Sequence, residues 1–140
     1  MNWMYGITAV PFRKKDLLPR TLASLKAGGF DCPRLFVDGV APDQILKDWV
    51  PLGLEITPHW PNLRTAGNWI LSLYELHIRD PTAERYAIFQ DDFVTYKNLR
   101  RYLDKCPFPP KAYWNLYTAS NSEECIVGKP LGTWHEGDQL

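Results

Sequence analysis

Two adjacent carboxylates, Asp91 and Asp92, stand in the string Ala87-Ile-Phe-Gln-Asp-Asp-Phe-Val94, with apolar residues before and after them. Like charges side by side against a core are costly unless a cation or hydrogen-bond donors neutralise them. A hard divalent metal does this with oxygen ligands and keeps positions for phosphate oxygens. The alternative is a solvated Asp-Asp turn in which one residue caps the next helix, and the segment alone leaves both open. The histidines carry less. His77 falls on an apolar helical stripe and reads as packing. His59 sits in a Pro-bounded aromatic loop and reads as structural or solvated. His135 lies in Thr133-Trp-His-Glu-Gly137, which puts an aromatic, an imidazole and an acid together and is either a binding loop or a tail. No motif identifies a catalytic base; Glu136 and His135 are the candidates.

The elements that must position these groups alternate between strand and helix. Tyr5–Val10 is a β-branched, apolar run ended by Pro11, a buried strand. Asp16 caps a helix bearing Leu18, Thr21, Leu22 and Leu25 at helical spacing, and Gly28-Gly29 stops it. Arg34–Asp38 is a second strand, turned by Gly39. Pro42 to about Trp49 is a short helix beginning with proline. Leu54–Thr57 is a third strand closed by Pro58. A loop from His59 to Thr65 leads to a helix over about Ala66–Arg79, with the stripe Ile70, Leu73, Tyr74, His77. Arg85–Gln90 is a fourth strand with the acidic pair at its carboxyl end. Thr95–Lys105 is a helix with Leu99, Tyr102, Leu103 and Cys106 on one side, broken by Pro107, Pro109 and Pro110; Ala112–Thr118 is a fifth strand.

This order predicts right-handed βαβ units and a three-layer α/β/α fold around a mainly parallel central sheet. Such sheets bind ligands beyond the carboxyl ends of their strands. That rule selects Pro11–Arg13, Asp38, the segment before Ala66, and Asp91–Asp92. The Arg13-Lys14-Lys15 cluster either attracts an anion or is a solvated helix start.

With 140 residues, the chain suits one small domain, read as residues 1–118 followed by an irregular segment, 119–140. Sixteen basic and sixteen acidic residues give a formal net charge of zero, which speaks against a general nucleic-acid binder. No run approaches the roughly 18 apolar residues of a membrane span, and MNWMYGITAV does not read as a signal peptide. Cys32, Cys106 and Cys125 are odd in number and widely spaced, which points to a cytoplasmic protein without a disulfide framework or zinc site.

The order of motifs over about residues 4–118 resembles the nucleotide-sugar-binding half of GT-A-fold glycosyltransferases. Thr8-Ala-Val-Pro11 with Arg13, followed by Leu18-Pro-Arg-Thr-Leu-Ala-Ser-Leu25, is similar to that family's opening βα unit. Leu35-Phe-Val-Asp38 resembles its second strand, and Asn62-Leu-Arg-Thr-Ala-Gly-Asn68 the loop and helix start before the metal strand. Gln90-Asp91-Asp92 resembles its DxD-type motif, with Gln90 in place of the usual first acid. The resemblance implies a UDP- or GDP-sugar donor, an unknown acceptor, and Mn²⁺ or Mg²⁺ as cofactor. It implies that Thr8, Ala9, Pro11 and Arg13 line the nucleotide pocket and that Asp38 holds base or ribose. Arg64 and Asn68 then lie near ribose or diphosphate, Asp91 contacts ribose or sugar, and Asp92 binds the metal, with Asp91 beside it. The family's catalytic domains continue well beyond this length. The chain is thus a truncated or split enzyme, one completed by a homo-oligomer or second half-protein, or a non-catalytic nucleotide-sugar-binding module. A receiver-type phosphoacceptor domain is set aside, because it carries its acidic pair at the first strand.

Overall fold

Four parallel strands form the sheet: β1 (Trp3–Ala9), β2 (Arg34–Asp38), β3 (Ile56–His59) and β4 (Arg85–Gln90), in the order β3-β2-β1-β4. The computed structural model describes residues 1–106. The expected fifth strand at Ala112–Thr118 and everything after it lie outside the described residues. Four helices accompany the strands: α1 (Leu18–Gly28), α2 (Pro42–Asp48), α3 (Arg64–Arg79) and α4 (Leu99–Leu103). The chain is an α/β protein with an all-parallel sheet over these residues.

The strands occupy the predicted places with two shifts. β1 begins earlier than Tyr5, because the Trp3 ring is buried and its Nε1–H donates to Asp104 at 2.8 Å. β3 runs to His59 instead of stopping before Pro58. Pro58 lacks an N–H, yet β3 is an edge strand, where a missing donor costs little.

The sheet is covered on both faces, as the strand order requires. The crossovers from β1 to β2 and β2 to β3 move in one direction, that from β3 to β4 moves back past β1, and parallel crossovers are as a rule right-handed. The crossover helices therefore lie on opposite sides. On one face Phe30, which follows α1, packs edge-on against Trp3, Tyr5 and Phe89 at ring distances of 5.6, 5.1 and 5.0 Å. Phe30 is fully buried, and each such side chain contributes about 2–3 kcal/mol of apolar burial. On the other face Phe36 stacks on His59 beneath α3. Gly6 fits under that stack: a Cβ there would meet the Phe36 ring at 2.5 Å and the Arg34 carbonyl oxygen at 2.9 Å.

Three helix readings are corrected. Asp16 does not cap α1; Leu17 occupies the cap position, no side chain caps the helix, and Asp16 is exposed. The helix read over Thr95–Lys105 shrinks to α4. Thr95 is drawn off to α1, its N–H donating to Ser24 Oγ at 3.2 Å and its hydroxyl to the Ser24 carbonyl at 3.0 Å, and Asn98 takes a left-handed backbone (φ 63°) just before α4.

The third correction is the face of α3. Ile70, Tyr74 and His77 are exposed, and Leu73 is half-buried. The buried seam is Asn68, Ser72 and Leu76. Asn68 Oδ1 lies 2.6 Å from His59 Nδ1, Glu75 Oε1 lies 3.0 Å from His59 Nε2, and Ser72 Oγ donates to the Asn68 carbonyl at 2.6 Å. A buried imidazole needs partners for both nitrogens, so the helix turns its polar seam inward.

Candidate functional site

The reversal of strand order makes a switch point between β1 and β4, where the chains leaving the two strands diverge. In open parallel sheets, ligands bind at this position, beyond the carboxyl ends. Here β1 leads through Val10 into a 3-10 turn, Pro11–Arg13, and β4 leads into Asp91-Asp92. Proline at the start of the turn fixes its direction and forfeits only an N–H that the turn has no use for.

Asp91 is fastened from four sides. Its N–H donates to the Thr8 carbonyl at 3.1 Å, which carries the β1–β4 ladder one step further. Its carbonyl accepts the Thr21 hydroxyl of α1 at 2.8 Å. Its carboxylate Oδ2 accepts the Val10 N–H at 2.8 Å, and Oδ1 accepts Arg13 Nη1 at 3.0 Å. The side chain is 3% exposed. Asp92 is the opposite case, an exposed residue whose Oδ2 lies 2.8 Å from the same Arg13 Nη1. One guanidinium nitrogen therefore bridges both carboxylates. The hydrogen bond to Asp91, with the charge of Asp92 behind it, holds the Arg13 guanidinium above its already high ordinary pKa. Arg13 also lies 5.3 Å over the Phe12 ring, which is 76% exposed. Two carboxylates share one guanidinium, so the cluster keeps one surplus negative charge.

The structure gathers Thr8, Ala9, Pro11, Arg13, Asp91 and Asp92 at this switch point. Thr8 and Ala9 are buried in β1, and the Thr8 hydroxyl donates to the Phe89 carbonyl at 3.2 Å. Asp38, Arg64 and Asn68 belong to a neighbouring group at the ends of β2 and β3. Asp38 is buried, and its Oδ1 accepts the Leu63 N–H at 2.7 Å, which ties the loop before α3 to the sheet. Gly39 follows with φ 74°, a backbone that favours glycine, and a Cβ there would meet Asn62 Nδ2 at 2.9 Å. Arg64 is exposed at the start of α3 with φ 61°, and its N–H donates to Asn62 Oδ1 at 2.9 Å. Asn68 is taken up by the buried bond to His59. Lys14 lies 4.8 Å over the Trp49 ring, while Lys15 is exposed. His135 and Glu136 lie outside the described residues.

No family model, curated protein or solved structure matches this chain.

Its own geometry must therefore say what the cluster can hold. Among the described residues, no three His, Cys, Asp or Glu side chains gather as a ready-made metal cage. Asp91 is a poor ligand, since both carboxylate oxygens already accept hydrogen bonds. Asp92 is a suitable one: an exposed carboxylate in a cluster with surplus negative charge. Mg²⁺ and Mn²⁺ are commonly held by one or two carboxylates, waters and the phosphate oxygens of a substrate. The residues fit a metal that shares its shell with a diphosphate, and Asp92 would hold it. Among the described residues, no helix is long and apolar enough to cross a membrane.

Sequence reading missed the partners that make the site rigid. Thr21 reads as one more position of an amphipathic helix, and the Val10 N–H has no signature at all. His59 and Glu75 lacked the seam of α3 that joins them.

Proposed function

We propose that this chain is the donor-binding part of a GT-A-type glycosyltransferase of the cytoplasm. It binds a nucleotide-diphosphate sugar, UDP- or GDP-linked, beyond the carboxyl ends of β1 and β4, with Mn²⁺ or Mg²⁺, for transfer of the sugar to an acceptor. One observation carries this reading: Arg13, Asp91 and Asp92 meet at the switch point of a parallel sheet. The sequence resemblance in the same residues supports it.

The chemistry asks little of each residue. Breaking the glycosidic bond leaves negative charge on the diphosphate. A divalent cation supplies charge stabilisation there as a Lewis acid. Asp92 would hold that cation, Asp91 keeps Arg13 in place beside it, and Arg13 would offer a fixed positive charge to the departing phosphates. Arg64, exposed at the start of α3, adds a second cation from the neighbouring group.

A second reading, donor binding without turnover, is favoured by one observation. Asp38 and His59, at the ends of β2 and β3, are buried in structural hydrogen bonds and are not free to act as a base. Hydrolysis of the bound sugar nucleotide separates the two readings.

The test is calorimetric titration of the full chain with UDP, GDP, CDP and ADP, each with Mn²⁺ and with chelator, repeated on Asp92→Ala. The expected result is one diphosphate that binds at least tenfold tighter with Mn²⁺ than with chelator, a preference the variant loses. No binding of any diphosphate, with or without metal, overturns the proposal.

A further inference from the structure

We propose that Arg13 is the resting counter-ion of Asp92 and that a divalent cation binds this carboxylate in competition with it, so that metal and diphosphate bind cooperatively. The inference rests on the reading above, in which Asp92 is the metal ligand.

The two arms of the Arg13 bridge are unequal. Toward Asp91, the guanidinium nitrogen meets a carboxylate 3% exposed, whose other oxygen is already held by Val10. Losing that contact strips a buried charge of a partner, which is costly. Toward Asp92, the same nitrogen meets a carboxylate 34% exposed, and Arg13 itself is 32% exposed. Pairs of this kind are weakened by water and salt and are exchanged readily. The tether to Asp91 is therefore kept, and the arm on Asp92 is the one that yields.

Arg13 holds Oδ2 of Asp92, and a divalent cation on the same carboxylate is repelled by the guanidinium beside it. Without nucleotide, a metal at Asp92 leaves Arg13 with one carboxylate partner and pushes like charges together. With a diphosphate present, the phosphate oxygens offer Arg13 a replacement partner and the metal further ligands. Each ligand then raises the affinity for the other by the same factor. Arg13 alone offsets part of the charge of the acidic pair.

The experiment is a Mn²⁺ titration of the full chain without nucleotide, by calorimetry, on the unaltered protein, Arg13→Gln and Asp92→Asn. Arg13→Gln is expected to bind Mn²⁺ about tenfold tighter than the unaltered chain, from the Coulomb energy of a unit and a double charge about 6 Å apart in water. Asp92→Asn is expected to lose the binding. A second readout needs no variant to fold better than another. The Arg13 Nε–H signal in ¹⁵N spectra, identified by its loss in Arg13→Lys, should shift on addition of Mg²⁺ to the unaltered protein. If Arg13→Gln binds Mn²⁺ no tighter, or the Arg13 signal stays put in a protein that does bind a diphosphate with Mg²⁺, the competition is wrong and the donor site stands. If no form binds metal with or without a diphosphate, both readings fall together.

Discussion

Asp91 commits both carboxylate oxygens to β1 and the turn that follows it, while its neighbour Asp92 faces solvent with a single shared arginine. The stability consequences differ accordingly. Asp91→Ala leaves the Val10 N–H and Arg13 without their acceptor and should cost about 3 kcal/mol or more in urea denaturation. Asp92→Asn should change stability by less than about 1 kcal/mol, because an exposed ion pair contributes little. Equal losses in the two variants would contradict the division between an anchoring acid and a ligand-facing one. The pair itself was legible in the sequence as two carboxylates between apolar runs. Its asymmetry was not. That depends on the backbone of Val10 and the side chain of Arg13, which lie 81 and 78 positions from Asp91 along the chain. The same distance hides the cation: next to Lys14 and Lys15, Arg13 reads as part of a basic cluster and shows nothing of its two acidic partners.

At the scale of elements, the register of β4 against β1 decides whether Asp91 reaches Val10 at all. That register begins at the turn after α3. Asp80 Oδ1 accepts the Thr82 hydroxyl at 2.6 Å and the Thr82 N–H at 3.0 Å, and its Oδ2 accepts Asn2 Nδ2 at 3.1 Å. The Thr82 hydroxyl first, then the Thr82 N–H and Asn2, hold the Asp80 carboxyl below the usual aspartate range. A carboxyl whose pKa is lower folded than unfolded stabilises the fold above its unfolded value of about 4 and loses this as pH falls through the folded value. The stability gap between the unaltered chain and Asp80→Ala should therefore be full at neutral pH and close progressively below about pH 4. A gap that persists unchanged at lower pH would contradict the assignment. The elements themselves were largely legible. β2 stands at Arg34–Asp38 as read, because an apolar run closed by Asp-Gly has few other conformations. The face of α3 was not legible. Counting apolar residues favours Ile70 and Tyr74, yet a buried histidine recruits Asn68 and Glu75, and a hydropathy pattern cannot register a hydrogen-bond chain. α4 failed for a related reason: Thr95 has a helical neighbourhood in sequence and a better partner, Ser24, in space.

At the scale of the molecule, the decisive feature is the order β3-β2-β1-β4. Alternating strands and helices predicted a parallel sheet, and the sheet is parallel. The alternation did not reveal that β4 returns to the free edge of β1, since strand order is fixed by long-range pairing. That return creates the switch point and brings the turn after β1 against the acidic pair after β4. The proposed metal-bound nucleoside diphosphate would sit where these two ends diverge. The most direct measurement is paramagnetic broadening of backbone amide signals by Mn²⁺, with and without the diphosphate that binds. Broadening is expected to centre on Val10–Arg13 and Gln90–Phe93, to be stronger with the diphosphate and to be absent in Asp92→Ala. Broadening centred anywhere else, or none at all with the diphosphate present, would contradict this placement.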